Sequence, residues 1–163
     1  MSEGEGGGYW TRKLEQLGIE LPTVVPPLAN YVPAVRTGAY VYTSGQLPMV
    51  DGALAATGKV GAAVSPEVAA GLARTCALNA LAAVDGLVGI DSVVRIVKVV
   101  GFVASAPGFN AQPAVINGAS DLLGEVFGDA GVHARSAVGV SELPLDAPVE
   151  VELIVEVEVE VEG

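Results

Sequence analysis

Cysteine, histidine and positive charge are scarce in this chain of 163 residues, which has one cysteine, one histidine and eight lysines and arginines. The single cysteine, Cys76, excludes an internal disulfide and any zinc site built from several cysteines. It lies in an Ala- and Leu-rich stretch with a helical pattern, so we interpret it as a small buried hydrophobic residue rather than a nucleophile. This use of cysteine favours a reduced, cytoplasmic protein.

The scarcity of positive charge argues against a nucleic acid partner. The formal net charge is −11, and the basic residues are scattered without a stripe. Because binding of phosphates needs clustered Lys and Arg, no nucleic acid partner is expected. A run of about eighteen apolar residues is also missing, so no membrane-spanning helix and no membrane partner are expected. The first residues are rich in Gly and Glu and lack the regions of a signal peptide.

Common catalytic motifs are absent as well. The chain has no Walker loop, no dinucleotide fingerprint, no Gly-x-Ser-x-Gly elbow and no His-Glu-x-x-His pair. The lone histidine, His133, has no local partner, and we interpret it as a surface or loop residue. Mechanisms that need a His–Ser or His–Cys pair are therefore not favoured, and no metal site is expected.

Apolar residues are abundant, at 51% of the chain, but aromatic residues make up only 5%. A core of Val, Ala and Leu suits a sheet covered by helices. We expect one domain over residues 22–163, preceded by a flexible leader over residues 1–21. Within the leader, the spacing of Trp10, Leu14 and Leu17 is compatible with a short helix.

The order of the predicted elements is ββ–α–β–α–ββ. Ser65 as N-cap and Pro66 at the first helical position begin a helix that runs to about Val84. The other predicted elements are two short strands in Val35–Ser44, a strand in Ile90–Ser105, a helix from Gln112 to Phe127, and strands in Ala134–Glu142 and Pro148–Glu162. This order predicts an α+β fold, with two helices on one face of a mixed sheet of five or six strands. The strands are apolar enough that the open face is expected to be covered by self-association.

The C-terminal segment from Val149 to Gly163 alternates apolar residues with glutamate, except at Ile154. Alternation with a period of two predicts a strand with one dry and one polar face. We interpret Glu156, Glu158, Glu160 and Glu162 as a solvated face that discourages further strand pairing. Glu150 and Glu152 lie nearer the preceding turn.

Arg135 is the one basic residue in an apolar terminal strand. An arginine in that position must be paired or used, because an isolated buried charge is costly. Two interpretations are open from the residue alone: a structural salt bridge to a glutamate, or bidentate capture of a substrate carboxylate, which the guanidinium geometry suits.

Two sequence motifs resemble those of the RidA (YjgF-type) family. The segment Thr43–Pro48, TSGQLP, resembles the T-S-G-Q-[IL]-P motif that follows an early strand of the family. The segment from Ala134 to Glu152 resembles its C-terminal pattern, with Ala-Arg-Ser, then Glu-Leu-Pro, then Val-Glu-Val-Glu. The resemblance spans roughly residues 27–157, and the N-terminal segment resembles that of a longer-chain subgroup.

The resemblance implies a chorismate-mutase-like fold that assembles as a homotrimer, with clefts between neighbouring subunits. It also implies hydrolysis of reactive enamine and imine intermediates, such as 2-aminoacrylate, to 2-keto acids and ammonia. No metal or organic cofactor is needed for this reaction. The implied ligand is a small imine or keto acid that bears a carboxylate.

Matched by position, Arg135 would bind the substrate carboxylate and Glu150 would orient or activate the attacking water. Substrate-binding positions would be Tyr31, Ser44, Gly45, Asn117 and Ala137. Tyr31 would come from the neighbouring subunit and Gly45 would offer its backbone N–H. Two positions depart from the family pattern, since Ala137 replaces a frequent cysteine and His133 replaces the usual proline.

Two other functions remain open. The first is a ligand-sensing or regulatory trimer that binds small keto acids without turnover, and both Ala137 and the longer N-terminal segment are compatible with such a role. Some relatives are also named as ribonucleases or translation inhibitors, but the net charge of −11 and the lack of a basic groove weigh against RNA cleavage.

Overall fold

The computed structural model describes residues 7–27 and 29–160. Its described part contains three α-helices and seven strands. The helices are α1 (Tyr9–Gln16), α2 (Pro66–Val88) and α3 (Gln112–Phe127). The strands are β1 (Ala34–Thr37), β2 (Tyr40–Thr43), β3 (Met49–Val50), β4 (Ala53–Leu54), β5 (Val93–Ala104), β6 (Ala134–Val140) and β7 (Val149–Val157).

The main sheet has five strands in the order β1-β2-β7-β5-β6. Strands β5 and β6 are parallel, because α3 connects them, and the other neighbours are antiparallel. The strands β3 and β4 form a separate small hairpin between β2 and α2, turning at Asp51-Gly52, where both φ angles are positive. The predicted α+β class, with two long helices against a mixed five-stranded sheet, is confirmed.

The core lies between this sheet and the helices α2 and α3. The odd-numbered residues of β7, from Val149 to Val157, are all buried, as the alternation predicts. Cys76 on α2 is also fully buried, which agrees with its interpretation as a core residue. By length and composition α2 could cross a membrane, but 61% of its most apolar window is buried in this domain. A core helix accounts for that pattern.

Helix α2 begins where the sequence predicts, since Ser65 Oγ accepts a hydrogen bond from Val68 N and Pro66 opens the first turn. It continues four residues past the predicted end at Val84 and stops at Gly89, which has a φ of 81°. Strand β7 ends at Val157, so Glu158 and Glu160 lie beyond it and are exposed. Glu162 lies outside the described residues.

Helix α1 packs on the domain through two anchors. The indole N–H of Trp10 donates to the carbonyl of Val93 at 2.8 Å, and its ring meets Phe127 edge-on. The carboxylate of Asp91 accepts hydrogen bonds from the backbone N–H of Gly8 and Thr11, which are free in the first turn of a helix. The short helix expected at this point is present. Residues 1–6 of the expected leader lie outside the described residues.

The sheet face away from the helices carries large apolar side chains. Val35, Tyr40 and Tyr42 on β1 and β2 and Val138 on β6 are each between 43% and 52% exposed. Phe102 of β5 pairs with Val138 and Ile154 of β7 pairs with Tyr42, so both lie on the same face, and alternation along β5 adds Val100. Within the described residues no helix covers this face, and we refer to it as the open face.

Candidate functional site

Arg135 lies on the edge strand β6, opposite Val99 of β5. Because Val99 is fully buried beneath the helices, this register turns the Arg135 side chain toward the helix layer. Its Nη1 donates to Asn117 Oδ1 at 2.7 Å and to Ser120 Oγ at 3.3 Å, both on α3. Asn117 and Ser120 are three residues apart, which places them on one face of the helix.

No carboxylate neutralises Arg135 among the described residues. The one ion pair among the described residues joins Lys59 to Glu142. The salt-bridge interpretation of Arg135 is therefore not what the structure shows: two neutral oxygen atoms hold the guanidinium. Both N–H groups of Nη1 are engaged, which leaves the Nε–Nη2 edge for a ligand. That edge matches the two oxygens of a carboxylate.

His133 extends this group of polar residues. Its Nε2 lies 2.9 Å from Ser120 Oγ, and its Nδ1 lies 2.6 Å from the carbonyl oxygen of Gly131. His133 lies in the loop before β6, as interpreted from the sequence, and the crossover through α3 brings Ser120 next to it. We refer to Asn117, Ser120, His133 and Arg135 as the arginine group.

A second group of predicted site residues lies around Glu150. Ser44 Oγ donates to the carbonyl of Val32 at 2.6 Å, and this bond ties the segment containing Tyr31 to the end of β2. Gly45 follows, and a Cβ added there would overlap the Glu150 carboxylate. Glycine at this position therefore lets the backbone approach Glu150 closely. We refer to Tyr31, Ser44, Gly45 and Glu150 as the glutamate group.

The Glu150 carboxyl group is half-buried on the open face. Burial raises its pKa, because desolvation penalises the carboxylate, and the negative charge of Glu152 on the same face raises it further. Glu150 has no cationic partner within residues 7–27 and 29–160, and a carboxyl group with a raised pKa in such a setting is a typical candidate for proton transfer. Tyr31 and Gly45 also line a small cavity of about 50 Å³, which is enough for a few water molecules, although Glu150 itself is not part of its lining.

The two groups do not meet within one chain. Arg135 pairs with Val99, and Glu150 pairs with Phe102, on opposite sides of β5. With strands about 4.8 Å apart and residues about 3.3 Å apart along a strand, the two Cα atoms are about 14 Å apart. Their side chains also point to opposite faces of the sheet, because Val99 faces the helices and Phe102 faces away. Of the predicted residues, the structure brings together Arg135 with Asn117, and Gly45 with Glu150.

Ala137 belongs to the helix side of β6, opposite Gly101, where its side chain packs against the core. It follows Arg135 by two residues, so both point toward the same face. Ser120 and His133 were not predicted as site residues. For Ser120, the one indication in the sequence was its spacing of three residues from Asn117 on a predicted helix. For His133, the sequence contained no indication of a role in the site.

The sequence of this chain is similar to those of known proteins over most of its length. Residues 11–157 match the family model described as "YjgF/chorismate_mutase-like, putative endoribonuclease". Protein TCP17 of Trypanosoma cruzi is 44% identical over 151 residues, which are 91% of this chain and 94% of that protein. A 2-iminobutanoate/2-iminopropanoate deaminase of Dermatophagoides farinae is 33% identical over 140 residues, which are 86% of this chain and 95% of that protein.

Two solved structures are informative about the fold. A protein of unknown function from Agrobacterium tumefaciens superposes with a TM-score of 0.84 at 44% identity, covering 91% of this chain and 92% of that one. TdcF of E. coli with bound serine superposes with a TM-score of 0.59 at 25% identity, covering 84% of this chain and 93% of that one.

Proposed function

Since this chain belongs to the YjgF/chorismate-mutase-like family, also called RidA, we propose that it hydrolyses small enamine and imine carboxylates to 2-keto acids and ammonia. The observation that carries the proposal is the state of Arg135: a half-buried guanidinium held by Asn117 and Ser120, with its Nε–Nη2 edge left open. The relative from Dermatophagoides farinae, named as an iminobutanoate/iminopropanoate deaminase, supports the substrate class.

The carboxylate of the substrate would bind to the open edge of Arg135 through two parallel hydrogen bonds. Such a bidentate pair fixes direction as well as position. The serine bound to TdcF also bears a carboxylate, so the related fold accepts a ligand of this class. Binding by the carboxylate would leave the reacting carbon, which is directly attached to it, at a set distance from the guanidinium.

Glu150 would assist the addition of water. The enamine takes a proton at its terminal carbon and becomes the iminium ion, which is the N-protonated form of the imine. Water adds to the imine carbon while the Glu150 carboxylate accepts a proton from it. The resulting carbinolamine loses ammonia and becomes the 2-keto acid. Because the imine is already reactive, orientation and charge account for much of the catalysis without a nucleophilic side chain such as cysteine at Ala137.

Both groups are needed, so the site we propose lies between two copies of the chain. The open face offers Val35, Tyr42 and Val138 to a neighbour, and burying such side chains favours association. A head-to-tail contact that closes after three copies would give a homotrimer with three equivalent clefts. Each cleft would combine the arginine group of one copy with the glutamate group of the next, including its Tyr31.

The deciding assay couples the protein to a dehydratase that releases 2-aminoacrylate and follows the 2-keto acid. We expect the wild-type chain to speed its formation and Arg135→Ala to abolish the effect. Arg12→Ala is the matched control, since Arg12 is exposed on α1 and its guanidinium donates to the carbonyl of Gly7. If the wild type is no faster than Arg135→Ala, the deaminase proposal is wrong.

A binding function without turnover is the second candidate, because the arginine group is complete by itself and Ala137 supplies no thiol. This regulator would bind pyruvate through Arg135 and leave 2-aminoacrylate unchanged. Titration with pyruvate, measured beside the coupled assay, separates the two functions: binding without turnover favours the regulator.

A further inference from the structure

A continuous chain of hydrogen bonds runs behind Arg135 on the helix side of β6. It connects the carbonyl of Gly131 to His133 (2.6 Å), His133 to Ser120 (2.9 Å), and Ser120 to Arg135 Nη1 (3.3 Å). Gly131 is buried, and a Cβ there would overlap the backbone of Leu123, so its carbonyl is held tightly against α3. The chain of hydrogen bonds therefore begins at a closely packed point of the backbone.

The direction of these hydrogen bonds follows from their first member. A carbonyl oxygen only accepts, so the Nδ1 of His133 carries the proton that it donates to Gly131. In a neutral imidazole Nε2 is then an acceptor, and the Ser120 hydroxyl donates to it. The lone pairs of Ser120 Oγ are left for Arg135.

We propose that Ser120 and His133 are positioning residues that hold the Arg135 guanidinium in the orientation that receives the substrate carboxylate. The inference rests on the proposed carboxylate-binding role of Arg135. An arginine side chain loses about 2 kcal/mol of rotamer entropy when it is fixed. With Asn117 as its one partner, the guanidinium plane would turn about a single hydrogen bond. The second acceptor, Ser120, fixes the plane.

His133 acts through Ser120. A serine hydroxyl rotates freely and would otherwise spend part of its time with its hydrogen toward the guanidinium, where it repels the Nη1 hydrogens. Accepting that hydrogen at Nε2 keeps the Oγ lone pairs turned to Arg135. His133 stands where the family pattern usually has proline, which offers no such acceptor, so this arrangement is a feature of the present chain.

The test compares Ser120→Ala, His133→Ala and His133→Gln, whose side-chain carbonyl still accepts from Ser120. With 2-aminoacrylate as substrate, we expect KM to rise about fivefold in each alanine variant, the effect of one hydrogen bond, while kcat changes less than twofold. His133→Gln should restore most of the KM. Ser141→Ala is the matched control, because Ser141 is exposed in the loop after β6.

A double variant separates action in series from independent contributions. If His133 works only through Ser120, the Ser120→Ala/His133→Ala variant has the KM of Ser120→Ala alone. If the KM of the double variant instead rises about 25-fold, the two residues act independently. That result would contradict the positioning role assigned to His133. A fall in kcat with unchanged KM in Ser120→Ala would overturn the positioning role of Ser120.

The inference is tested separately from turnover by the side-chain NMR signal of Arg135. A fixed guanidinium gives separate, slowly exchanging Nη signals, and we expect them to merge in Ser120→Ala and to persist in Ser141→Ala. Pyruvate binding that Arg135→Ala abolishes and Ser120→Ala weakens supports both proposals. Absence of binding to the wild type would contradict the proposed function alone, and unchanged Nη signals in Ser120→Ala would contradict the positioning role alone.

Discussion

Arg135 and Glu150 lie on opposite faces of one sheet, on β6 and β7, with β5 between them. Their separation of about 14 Å within a chain is too large for a three-carbon substrate to contact both. The two proposed tasks, carboxylate binding and proton transfer, would thus fall on different surfaces of the chain. The proposed function consequently requires that a second copy bring a glutamate group to each arginine group.

The first prediction concerns assembly. Val138→Asp places a charge on the open face, on the edge strand β6, where it would be desolvated by a neighbouring copy. We expect the wild type to have about three times the mass of the 16.4 kDa chain in light scattering and the variant to be a monomer without activity. Val68→Asp is the control, since Val68 is equally exposed but lies on α2. A wild type of about 16 kDa would contradict the trimer.

The second prediction concerns pH. Burial and then Glu152 raise the pKa of Glu150, so its carboxylate is lost on acidification at a higher pH than an ordinary glutamate. Because Glu150 must be ionised to accept a proton, kcat/KM should fall on the acid side. In Glu152→Gln the acid limb should move to lower pH, but only in part, since burial remains. If the acid limb of the kcat/KM profile is unchanged in Glu152→Gln, the ionisation of Glu150 does not determine that limb.

The same shift predicts an effect on stability. A raised pKa in the folded state means that the native protein penalises the carboxylate, so the penalty is absent at low pH and grows as pH rises through the range between the unfolded and folded pKa values. Glu150→Gln should therefore raise Tm at pH 7 and leave it unchanged in more acidic solution, below both pKa values. Thermal unfolding across pH tests this, and equal Tm differences at every pH would contradict it.

The third prediction concerns the close approach of Gly45 to Glu150. Gly45→Ala should displace the carboxylate and lower kcat by at least tenfold, because its Cβ would overlap the carboxyl group. Gly71→Ala on the exposed side of α2 meets nothing within 4 Å and should instead stabilise the protein by roughly 0.5–1 kcal/mol. Steady-state kinetics and urea unfolding of both variants provide the comparison. Full activity of the Gly45→Ala variant would show that Glu150 is not part of the catalytic site.

The fourth prediction concerns the docking of α1. Burial raises the pKa of Asp91, but hydrogen bonds from Thr11 and from the backbone of Gly8 and Trp10 outweigh it and lower the pKa overall. The stabilisation is thus present at neutral pH and is lost as pH falls through the lowered pKa. Asp91→Ala should speed hydrogen exchange in residues 9–16 at pH 7 without changing kcat. If hydrogen exchange in residues 9–16 is unchanged in Asp91→Ala, the hydrogen bonds to Asp91 do not stabilise the docking of α1.

The predictable parts of this molecule are those with local causes. Ser65 and Pro66 mark the start of α2, and the alternation from Val149 identifies the buried face of β7. The relation between Arg135 and Glu150 was not predictable, because alternation assigns faces within one strand and register between strands needs the fold. His133 and Ser120 meet only because α3 crosses back over β6, and Asp91 caps a helix that precedes it by about 80 residues in sequence.

The most direct test of the shared site is complementation between two inactive variants. Arg135→Ala and Glu150→Gln are each purified, mixed in equal amounts, unfolded and refolded together, and assayed with 2-aminoacrylate. If each cleft takes its arginine from one copy and its glutamate from the next, about one cleft in four regains both residues, and roughly a quarter of the wild-type activity returns. If both residues act within one chain, every chain in the mixture is defective and no activity returns.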